Sequence, residues 1–382
     1  MSGPNWPAGS GPVLDISDLS IVYRTEAADV RAVSNVSLTL SAGEVVGLVG
    51  ESGSGKSTLA YGACRLLRSP ALITGGAVRY RGRRAAEPTD ILRLGADELR
   101  QLRWREIAIV FQSAMNALNP VLNVRDQILD AVSAHLRMSK TEALEKTSTL
   151  LDLVGIPRSR LRSYPHELSG GMRQRIMIAM ALAADPEIVI MDEPTTALDV
   201  VVQRDILAQI VELKERLGFS ILFITHDLSL LLEMADRIAV MYAGRLLEVG
   251  TAAGIKREPA HPYTRGLLKS FPSLHGPRRD LAGIPGSPPD LRAATAGCPF
   301  LPRCQFGTQA CEQIDMTLAA VGRGSDPPTP PARVASSADL AHLTACPFVL
   351  PDTPEPDGAS PAGVKTAVAE FAEPAGREVS SA

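Results

Sequence analysis

Apolar and polar residues alternate with a period of two over residues 13–24 and 30–40 of the chain. This alternation predicts antiparallel strands with one buried face. A short apolar run at 44–50 ends in glycine, and a helical spacing of apolar residues follows over 56–68. The sequence therefore predicts a strand, a glycine-rich loop and a helix in immediate succession.

Short apolar runs and helical patterns then alternate. Strands are predicted at 107–112, 187–192, 220–225 and 237–242, and helical spacing covers 124–155, 168–184, 200–217 and 227–236. This alternation predicts an α/β fold with a mainly parallel sheet, which helices cover on both faces. We interpret the helical stretch at about 115–175 as an arm inserted into that core.

The composition changes after about residue 262, where Gly and Pro become frequent and regular periodicity is lost. We therefore predict a flexible lead at 1–12, a core domain at 13–262 and a smaller, irregular C-terminal domain at 263–350. The last segment, 351–382, is dominated by Pro, Ala, Glu, Ser and Gly. It is predicted to be disordered, because such a composition buries too little apolar surface.

Composition excludes several classes of function. The 382 residues are 45% hydrophobic and 21% charged, as in ordinary globular proteins of more than one domain. A net charge of -3 and only 4% aromatic residues argue against nucleic acid as the main ligand. No apolar stretch approaches the roughly 20 residues of a membrane span, and the N-terminus has no signal core. We expect a cytosolic chain, which reaches a membrane only by docking onto another protein.

The loop at 50–58 fits the phosphate-binding pattern G-x-x-x-x-G-K-[ST]. Its glycines let backbone N–H groups point at phosphate oxygens, and the next helix adds the positive end of its dipole. We expect Lys56 to reach the β- and γ-phosphates and the Ser57 hydroxyl to bind Mg²⁺. The sequence thus predicts a magnesium–ATP site, here called the P-loop, formed by Gly50, Glu51, Ser52, Gly53, Ser54, Gly55, Lys56, Ser57 and Thr58.

The predicted strand at 187–192 ends in the carboxylates Asp192 and Glu193. A carboxylate at the end of a buried strand can face magnesium across the edge of the sheet. The carboxylate after it can polarise an attacking water. Beside a P-loop this function is favoured over a pair of solvated acids, so we assign Asp192 to magnesium and Glu193 as general base.

A second helix start suited to an anion lies at residues 168–174, here called the signature segment. Ser169 is a good N-cap residue, and Gly170 and Gly171 leave backbone N–H groups bare. A plain capped helix is the alternative interpretation. One ATP has one γ-phosphate, so two such sites are best explained by a head-to-tail pair of subunits. Each ATP would then lie between the P-loop of one subunit and residues 169–171 of the other.

These motifs together resemble the ATP-binding subunits of ABC transporters. Across residues 13–262 the order is the P-loop, Gln112, the signature segment, Asp192 with Glu193, then Ala197, Leu198 and Asp199, and finally His226. The resemblance implies a P-loop ABC ATPase core with an antiparallel β subdomain. It also implies that the chain hydrolyses ATP to ADP and phosphate.

The resemblance further implies roles for single residues. Gln112 would join Ser57 and Asp192 at the magnesium ion, sense that site and link it to a transmembrane partner. Asp199 would lie at the dimer seam. Gln174 belongs to the signature segment, which faces the partner's ATP. His226 would contact the γ-phosphate and Tyr23 would stack on adenine. A satisfied histidine at a strand end and a strand-surface tyrosine are the respective alternatives.

The region after the core narrows the resemblance to the ATPases of oligopeptide and dipeptide importers. It begins with His261, Pro262, Tyr263, Thr264 and Arg265 and continues through several Pro-rich motifs. The resemblance implies a heterodimer with a second, related ATPase, two transmembrane permeases and, indirectly, an extracytoplasmic solute-binding protein. The chain would work at the cytoplasmic face of the membrane. Importers of nickel or oligosaccharides, and non-transport ATPases acting on DNA or ribosomes, are the alternatives.

Four of the five cysteines lie in the last quarter of the chain, at Cys298, Cys304, Cys311 and Cys346. Thiolate clusters bind zinc or iron–sulfur centres, and none of these spacings is the short gap of zinc knuckles. Pro follows Cys298 and Cys346, as in ferredoxin runs. The resemblance implies a [4Fe–4S] cluster, with zinc and unliganded thiols as alternatives. Cys64 is predicted to be an inert buried thiol.

Overall fold

The computed structural model describes residues 11–83, 85, 87–112, 117–196, 198–270, 283–293, 296–321 and 342–346. The predicted disordered tail at 351–382 and most of the predicted flexible lead lie outside these residues. The strands are β1 (Leu14–Tyr23), β2 (Val30–Leu40), β3 (Val45–Val49), β4 (Ala71–Tyr80), β5 (Thr89–Asp90), β6 (Ile107–Val110), β7 (Ile188–Asp192), β8 (Ser220–Thr225), β9 (Arg237–Tyr242), β10 (Arg245–Thr251), β11 (Ala319–Ala320) and β12 (Leu343–Thr344). The α-helices are α1 (Lys56–Ala63), α2 (Ala96–Arg105), α3 (Val124–His135), α4 (Lys140–Leu153), α5 (Gly170–Ala181), α6 (Val200–Leu217), α7 (Leu228–Met234), α8 (Ala252–Arg257) and α9 (Pro262–Lys269).

A mainly parallel sheet forms the centre of the fold, in the order β11-β12-β10-β9-β3-β8-β7-β6. Strands β9, β3, β8, β7 and β6 run parallel, and their residues are almost all buried. Val46 and Val49 of β3 belong to two different apolar cores, one on each face of the sheet. This confirms the predicted α/β fold with a sheet covered on both sides.

A second, antiparallel sheet in the order β2-β1-β4-β5 forms the predicted β subdomain. The inward residues of β1, such as Ile16 and Ile21, are buried in the same core as Leu59 of α1. This packing places the antiparallel sheet against the helix that follows the P-loop.

Helices α3, α4 and α5 pack on one another and form the predicted arm. Ser139 begins α4 with a capping box, because its hydroxyl accepts the Glu142 N–H while the Glu142 carboxylate accepts the Ser139 N–H. Asn123 caps α3 in a similar way, accepting a hydrogen bond from the Asp126 N–H.

Two expectations about helices were wrong. The helix predicted over 56–68 ends at Ala63, because Arg65 adopts a φ of 53° and the Leu66 N–H turns back to the Tyr61 carbonyl. Regular structure was expected to stop after residue 262, but α9 (Pro262–Lys269) continues it. The His261 side chain caps α9 by accepting the Tyr263 N–H, and Pro262 occupies the first turn, where proline is tolerated.

The C-terminal region is joined to the core sheet. Strand β12 pairs with β10, and β11 pairs with β12, so residues beyond 300 extend the sheet of the core domain. Among the described residues, no helix combines the length and the apolar character that crossing a membrane requires.

Candidate nucleotide-binding and catalytic site

The parallel strands place the predicted site residues at one edge of the sheet. The P-loop follows β3, Asp192 ends β7, and His226 follows β8. Because β3 pairs with β8 and β8 pairs with β7, the carboxyl ends of these strands are neighbours. Ligands of open α/β sheets bind at this edge.

Glycine is required at two P-loop positions by close backbone contacts. A Cβ atom at Gly50 would lie 2.0 Å from the Met241 carbonyl oxygen. A Cβ atom at Gly55, which has a φ of 105°, would lie 2.3 Å from the Ala32 carbonyl oxygen. The P-loop therefore packs closely against β9 and β2. At Gly55 its backbone adopts a conformation that residues with a side chain rarely adopt.

The Lys56 ammonium group is buried inside the P-loop. It donates hydrogen bonds to the carbonyl oxygens of Gly50, at 2.8 Å, and Glu51, at 2.9 Å. Burial lowers the pKa of Lys56, while the carboxylates of Glu193, Asp192 and Glu51 act in the opposite direction. The cation is thus enclosed by the loop whose N–H groups would bind phosphate.

Asp192 is fully buried beside the first turn of α1. Its two carboxylate oxygens accept hydrogen bonds from the Ser57 hydroxyl, at 3.0 Å, and the Tyr61 hydroxyl, at 2.6 Å. Burial raises the pKa of Asp192, and the two hydroxyls oppose that shift. Of the three predicted magnesium ligands, the structure brings Ser57 and Asp192 into contact, while the Gln112 side chain donates to Glu193. The structure adds Tyr61, which no motif had singled out.

Glu193 lies at the centre of the predicted catalytic group. The Gln112 side-chain amide donates to one carboxylate oxygen at 3.0 Å, and the Thr196 hydroxyl donates to the same oxygen at 3.0 Å. His226 Nδ1 lies 3.3 Å from the other oxygen. The structure therefore brings Gln112, Glu193 and His226 together, although they come from three separate stretches of sequence.

The backbone of Glu193 adopts an uncommon conformation directly after β7. The residue has a φ of 45°, in the left-handed region that is uncommon for residues other than glycine. Its N–H donates to the Ile224 carbonyl of β8 at 2.9 Å. Strained backbone of this kind concentrates at functional sites, where neighbouring structure holds it in place.

Tyr23, the predicted adenine platform, ends β1 beside the P-loop. Its hydroxyl lies 3.2 Å from the Thr58 hydroxyl, and the residue is half-buried. A hydrogen bond therefore links the Tyr23 side chain to the first turn of α1, next to the phosphate-binding loop.

The signature segment occupies a different place in the fold, at the start of α5 in the arm. Ser169 is the N-cap, and its hydroxyl accepts the Met172 N–H at 3.2 Å. A Cβ atom at Gly171 would lie 2.7 Å from a Val202 methyl group of α6. Asp199 caps α6 by accepting the Val202 N–H, while Gln174 is buried. Glycine at position 171 thus lets the capped N-terminus of α5 approach that of α6. Ala197, which the motif order also includes, lies outside the described residues.

Three of the four C-terminal cysteines lie close together. The Cys298 N–H donates to the Cys311 carbonyl at 2.9 Å. Burial, together with the nearby Cys304 and Cys311 thiols, raises the pKa of the Cys298 thiol. Across the described residues, however, no three His, Cys, Asp or Glu side chains are arranged to hold a metal ion. The thiols have the chemistry of a cluster-binding set but do not form a closed site in this conformation. Cys64 is buried, as predicted.

Two parts of the sequence match known protein families. Residues 33–196 match the family described as ABC transporter, and residues 247–311 match the oligopeptide/dipeptide transporter C-terminal region. The oligopeptide transport ATP-binding protein OppD of Salmonella typhimurium is 44% identical over 307 residues, covering 80% of this chain and 90% of that protein. The chain belongs to the family of ABC transporter ATP-binding subunits.

Other members of this ABC family support the same assignment. OppD of Escherichia coli is 44% identical over 301 residues, covering 78% of this chain and 87% of that protein. A solved ATP-binding cassette, a dimer in a post-hydrolysis state with ADP and phosphate, superimposes with a TM-score of 0.55 and 29% identity. It covers 63% of this chain and 98% of that structure. The chain is therefore an ABC-type ATPase.

Removing the Tyr61 hydroxyl is expected to weaken magnesium binding. Tyr61→Phe leaves one Asp192 oxygen without its 2.6 Å hydrogen bond, so the carboxylate is less well oriented. Changes to groups that orient metal ligands cost about 10-fold or more in metal affinity. Titration of ATPase activity with Mg²⁺ should show a half-saturating concentration about 10-fold higher.

Tyr80→Phe is the matched control for this titration. The Tyr80 hydroxyl also lies within hydrogen-bond distance of carboxylates, 2.7 Å from Glu187 and 2.8 Å from Glu106, but these lie outside the nucleotide site. The control should keep the wild-type magnesium requirement. An unchanged requirement in Tyr61→Phe would show that Tyr61 does not orient Asp192 for the metal.

Proposed function

We propose that the chain hydrolyses ATP to power the import of dipeptides and oligopeptides through an ABC transporter. The observation that supports this cargo is the C-terminal region at 247–311, which matches the oligopeptide/dipeptide transporter family. The names of two relatives, each 44% identical to this chain over 307 and 301 aligned residues, point to the same substrate class.

We infer the assembly from the family and from exposed apolar residues. Val200 and Val201, which directly follow Asp199, are 66% and 71% exposed. Val121, at the entry to the arm, is 75% exposed. Neighbouring exposed apolar residues form patches of the kind that mark protein contacts, and Leu122 beside Val121 is also 39% exposed. We assign Val200 and Val201 to the interface with a second, related ATPase. We assign Val121 to the interface with one of two permeases at the cytoplasmic face of the membrane. The solute-binding protein would act on the permeases.

In the proposed mechanism the P-loop binds the triphosphate, with Lys56 facing the β- and γ-phosphates. The Ser57 hydroxyl and the Asp192 carboxylate are hard oxygen donors, which suit Mg²⁺ together with phosphate oxygens. Magnesium bound there would neutralise charge on the phosphates. Tyr23 would stack on adenine at the outer end of the loop.

Glu193 is the proposed general base. Its carboxylate would accept a proton from the attacking water, which the Gln112 amide would help to place. His226 would approach the γ-phosphate from β8. The two hydrogen bonds to one carboxylate oxygen leave the other oxygen, near His226, as the acceptor for water.

The second half of each site would come from the partner subunit. Ser169, Gly170, Gly171 and Gln174 of one ATPase would face the triphosphate held by the P-loop of the other. Bare N–H groups at a capped helix start suit an anion. Binding of ATP would close the dimer, and hydrolysis would reopen it, with the arm passing the motion to the permeases.

We also propose that the C-terminal domain, residues 263–350, holds a [4Fe–4S] cluster on Cys298, Cys304, Cys311 and Cys346. Four thiols and the proximity of the first three support this proposal. Closing them around a cluster requires rearrangement, and no step of ATP hydrolysis depends on it. Protein purified without oxygen should be brown and absorb blue light. A colourless protein that contains zinc would contradict the cluster.

Peptide uptake tests the proposed cargo. Cells that lack this gene are complemented with the wild-type chain or with Lys56→Ala, and accumulation of a labelled tripeptide is measured. We expect uptake with the wild-type chain and none with the variant. The same cells are tested with labelled nickel and a labelled oligosaccharide. Accumulation of either of those, with no peptide uptake, would overturn the peptide assignment and keep the ATPase.

A further inference from the structure

An arginine from the C-terminal region contacts the P-loop directly. Arg303 Nη1 donates a 2.8 Å hydrogen bond to the Glu51 carboxylate, although the two residues are 252 positions apart in sequence. The Arg303 side chain is only 6% exposed and that of Glu51 is 25% exposed. Charge-assisted hydrogen bonds shielded from water are among the stronger contacts in proteins.

The rest of the Arg303 guanidinium is also fixed. Nη1 donates to the Tyr242 hydroxyl at 3.1 Å, and Nε donates to the Pro285 carbonyl at 2.7 Å. The carbon of the guanidinium lies 5.7 Å from the Tyr242 ring centre and 5.9 Å from that of Phe300. Arg303 is therefore held in one orientation, with one N–H group aimed at the P-loop.

A second residue, Tyr263 of α9, contacts the backbone at the same point. The Glu51 N–H donates to the Tyr263 hydroxyl at 2.9 Å. The Tyr263 ring packs 4.7 Å from the Tyr242 ring and 5.3 Å from the Phe300 ring, centre to centre. Tyr263 and Arg303 thus form one buried cluster with Tyr242 and Phe300, here called the aromatic clamp.

Glu51 connects this clamp to the catalytic lysine. Its carbonyl oxygen accepts a hydrogen bond from Lys56 Nζ at 2.9 Å, while its N–H and carboxylate are held by the clamp. The C-terminal region therefore contacts the N–H and one carboxylate oxygen of Glu51, while Lys56 contacts its carbonyl oxygen. A shift of Arg303 or Tyr263 would move the Glu51 carbonyl and so the ammonium group.

We propose that Arg303 and Tyr263 are positioning residues, through which the C-terminal region sets the affinity of the P-loop for ATP. The inference needs the ATP site but no assumption about the transported solute. The coupling is reciprocal. If the clamp contacts change the free energy of ATP binding, ATP binding changes the free energy of the clamp contacts by the same amount. The C-terminal region is then part of the ATPase and not only an attachment to it.

A double-mutant cycle on the full-length chain tests the proposal. Affinity for a fluorescent ATP analogue with Mg²⁺ is measured for Arg303→Gln, Glu51→Gln and the double variant. We expect each single variant to weaken binding about 10-fold, within the usual range of coupling between sites. The double variant should bind no more weakly than either single variant, because both remove the same contact.

Two further variants separate positioning from a purely structural role. Arg303→Lys keeps the charge near Glu51 and should bind ATP with intermediate affinity. Tyr263→Phe keeps the ring packing and removes only the acceptor for the Glu51 N–H, so it should weaken ATP binding with little change in melting temperature without nucleotide. Arg292→Gln is the matched control, since Arg292 pairs with Asp290 on the exposed surface of the same region. It should bind ATP like the wild type.

Wild-type ATP affinity in a folded Arg303→Gln variant, or losses that multiply in the double variant, would overturn the proposal. If Arg303→Gln does not fold, the ATP affinities of Tyr263→Phe and Arg303→Lys test the proposal. Unchanged affinity in both of these would equally overturn it, even if their melting temperatures fell.

Discussion

Glu193→Gln should bind ATP like the wild type and hydrolyse it about 10²–10⁴-fold more slowly, the usual contribution of a general base. The amide has the same shape as the carboxylate. Its oxygen can still accept the hydrogen bonds from Gln112 and Thr196, which both reach one carboxylate oxygen in the wild type. The amide nitrogen would then face His226 in place of the second oxygen. The site keeps its geometry but loses the group that accepts a proton from water.

Single-turnover phosphate release and equilibrium binding of a fluorescent ATP analogue separate these two effects. Glu233→Gln is the control, because it changes an exposed carboxylate that is paired with Arg204 at 3.5 Å. The control should leave both measurements unchanged. Hydrolysis in Glu193→Gln within a few-fold of the wild type would assign the base to another group.

Lys56→Ala should abolish detectable ATP binding at ordinary nucleotide concentrations and lower turnover by at least about 10²-fold. Preorganised cations and N–H groups aimed at developing charge contribute effects of this size. The variant also leaves the carbonyls of Gly50 and Glu51 without their donor. Both the charge that faces the phosphates and the internal contact that shapes the loop are then lost.

The control for this variant is Lys146→Ala, which removes a lysine of α4 that pairs with Asp185 at 2.6 Å. It should bind and hydrolyse ATP normally. Nucleotide binding by Lys56→Ala with near-normal affinity would contradict the role of the P-loop lysine, whatever happens to turnover.

Elements with a single strong pattern could be predicted to the residue. Strands β8 and β9 and helix α6 have the predicted bounds, because each is an apolar run or an amphipathic stretch bounded by turn residues or a capping carboxylate. Strand β4 could not be predicted, since most of its residues are exposed or half-buried and it contains Gly75 and Gly76. Helix α2 is largely polar and depends on its packing against the ends of α1 and β6.

Only some of the contacts within the site could be predicted from the sequence. The order of the motifs predicted that Ser57, Asp192 and Glu193 lie near one another. This prediction could be made because parallel strands bring the residues at their carboxyl ends to one edge of the sheet. Tyr61 could not be found in this way, because its role depends on one hydroxyl meeting Asp192 across two elements. The Arg303–Glu51 pair is harder still, since nothing local in either segment signals a contact between them.

We propose that the P-loop of one subunit and the signature segment of another bind the same ATP. A structure of the assembled transporter with Glu193→Gln and magnesium–ATP tests this arrangement directly. We expect a triphosphate that contacts Lys56 on one side and the partner ATPase on the other, with residues 169–171 of this chain at the second nucleotide. The shared site would be ruled out by signature residues that face solvent, or any other part of the assembly, while ATP fills the P-loop.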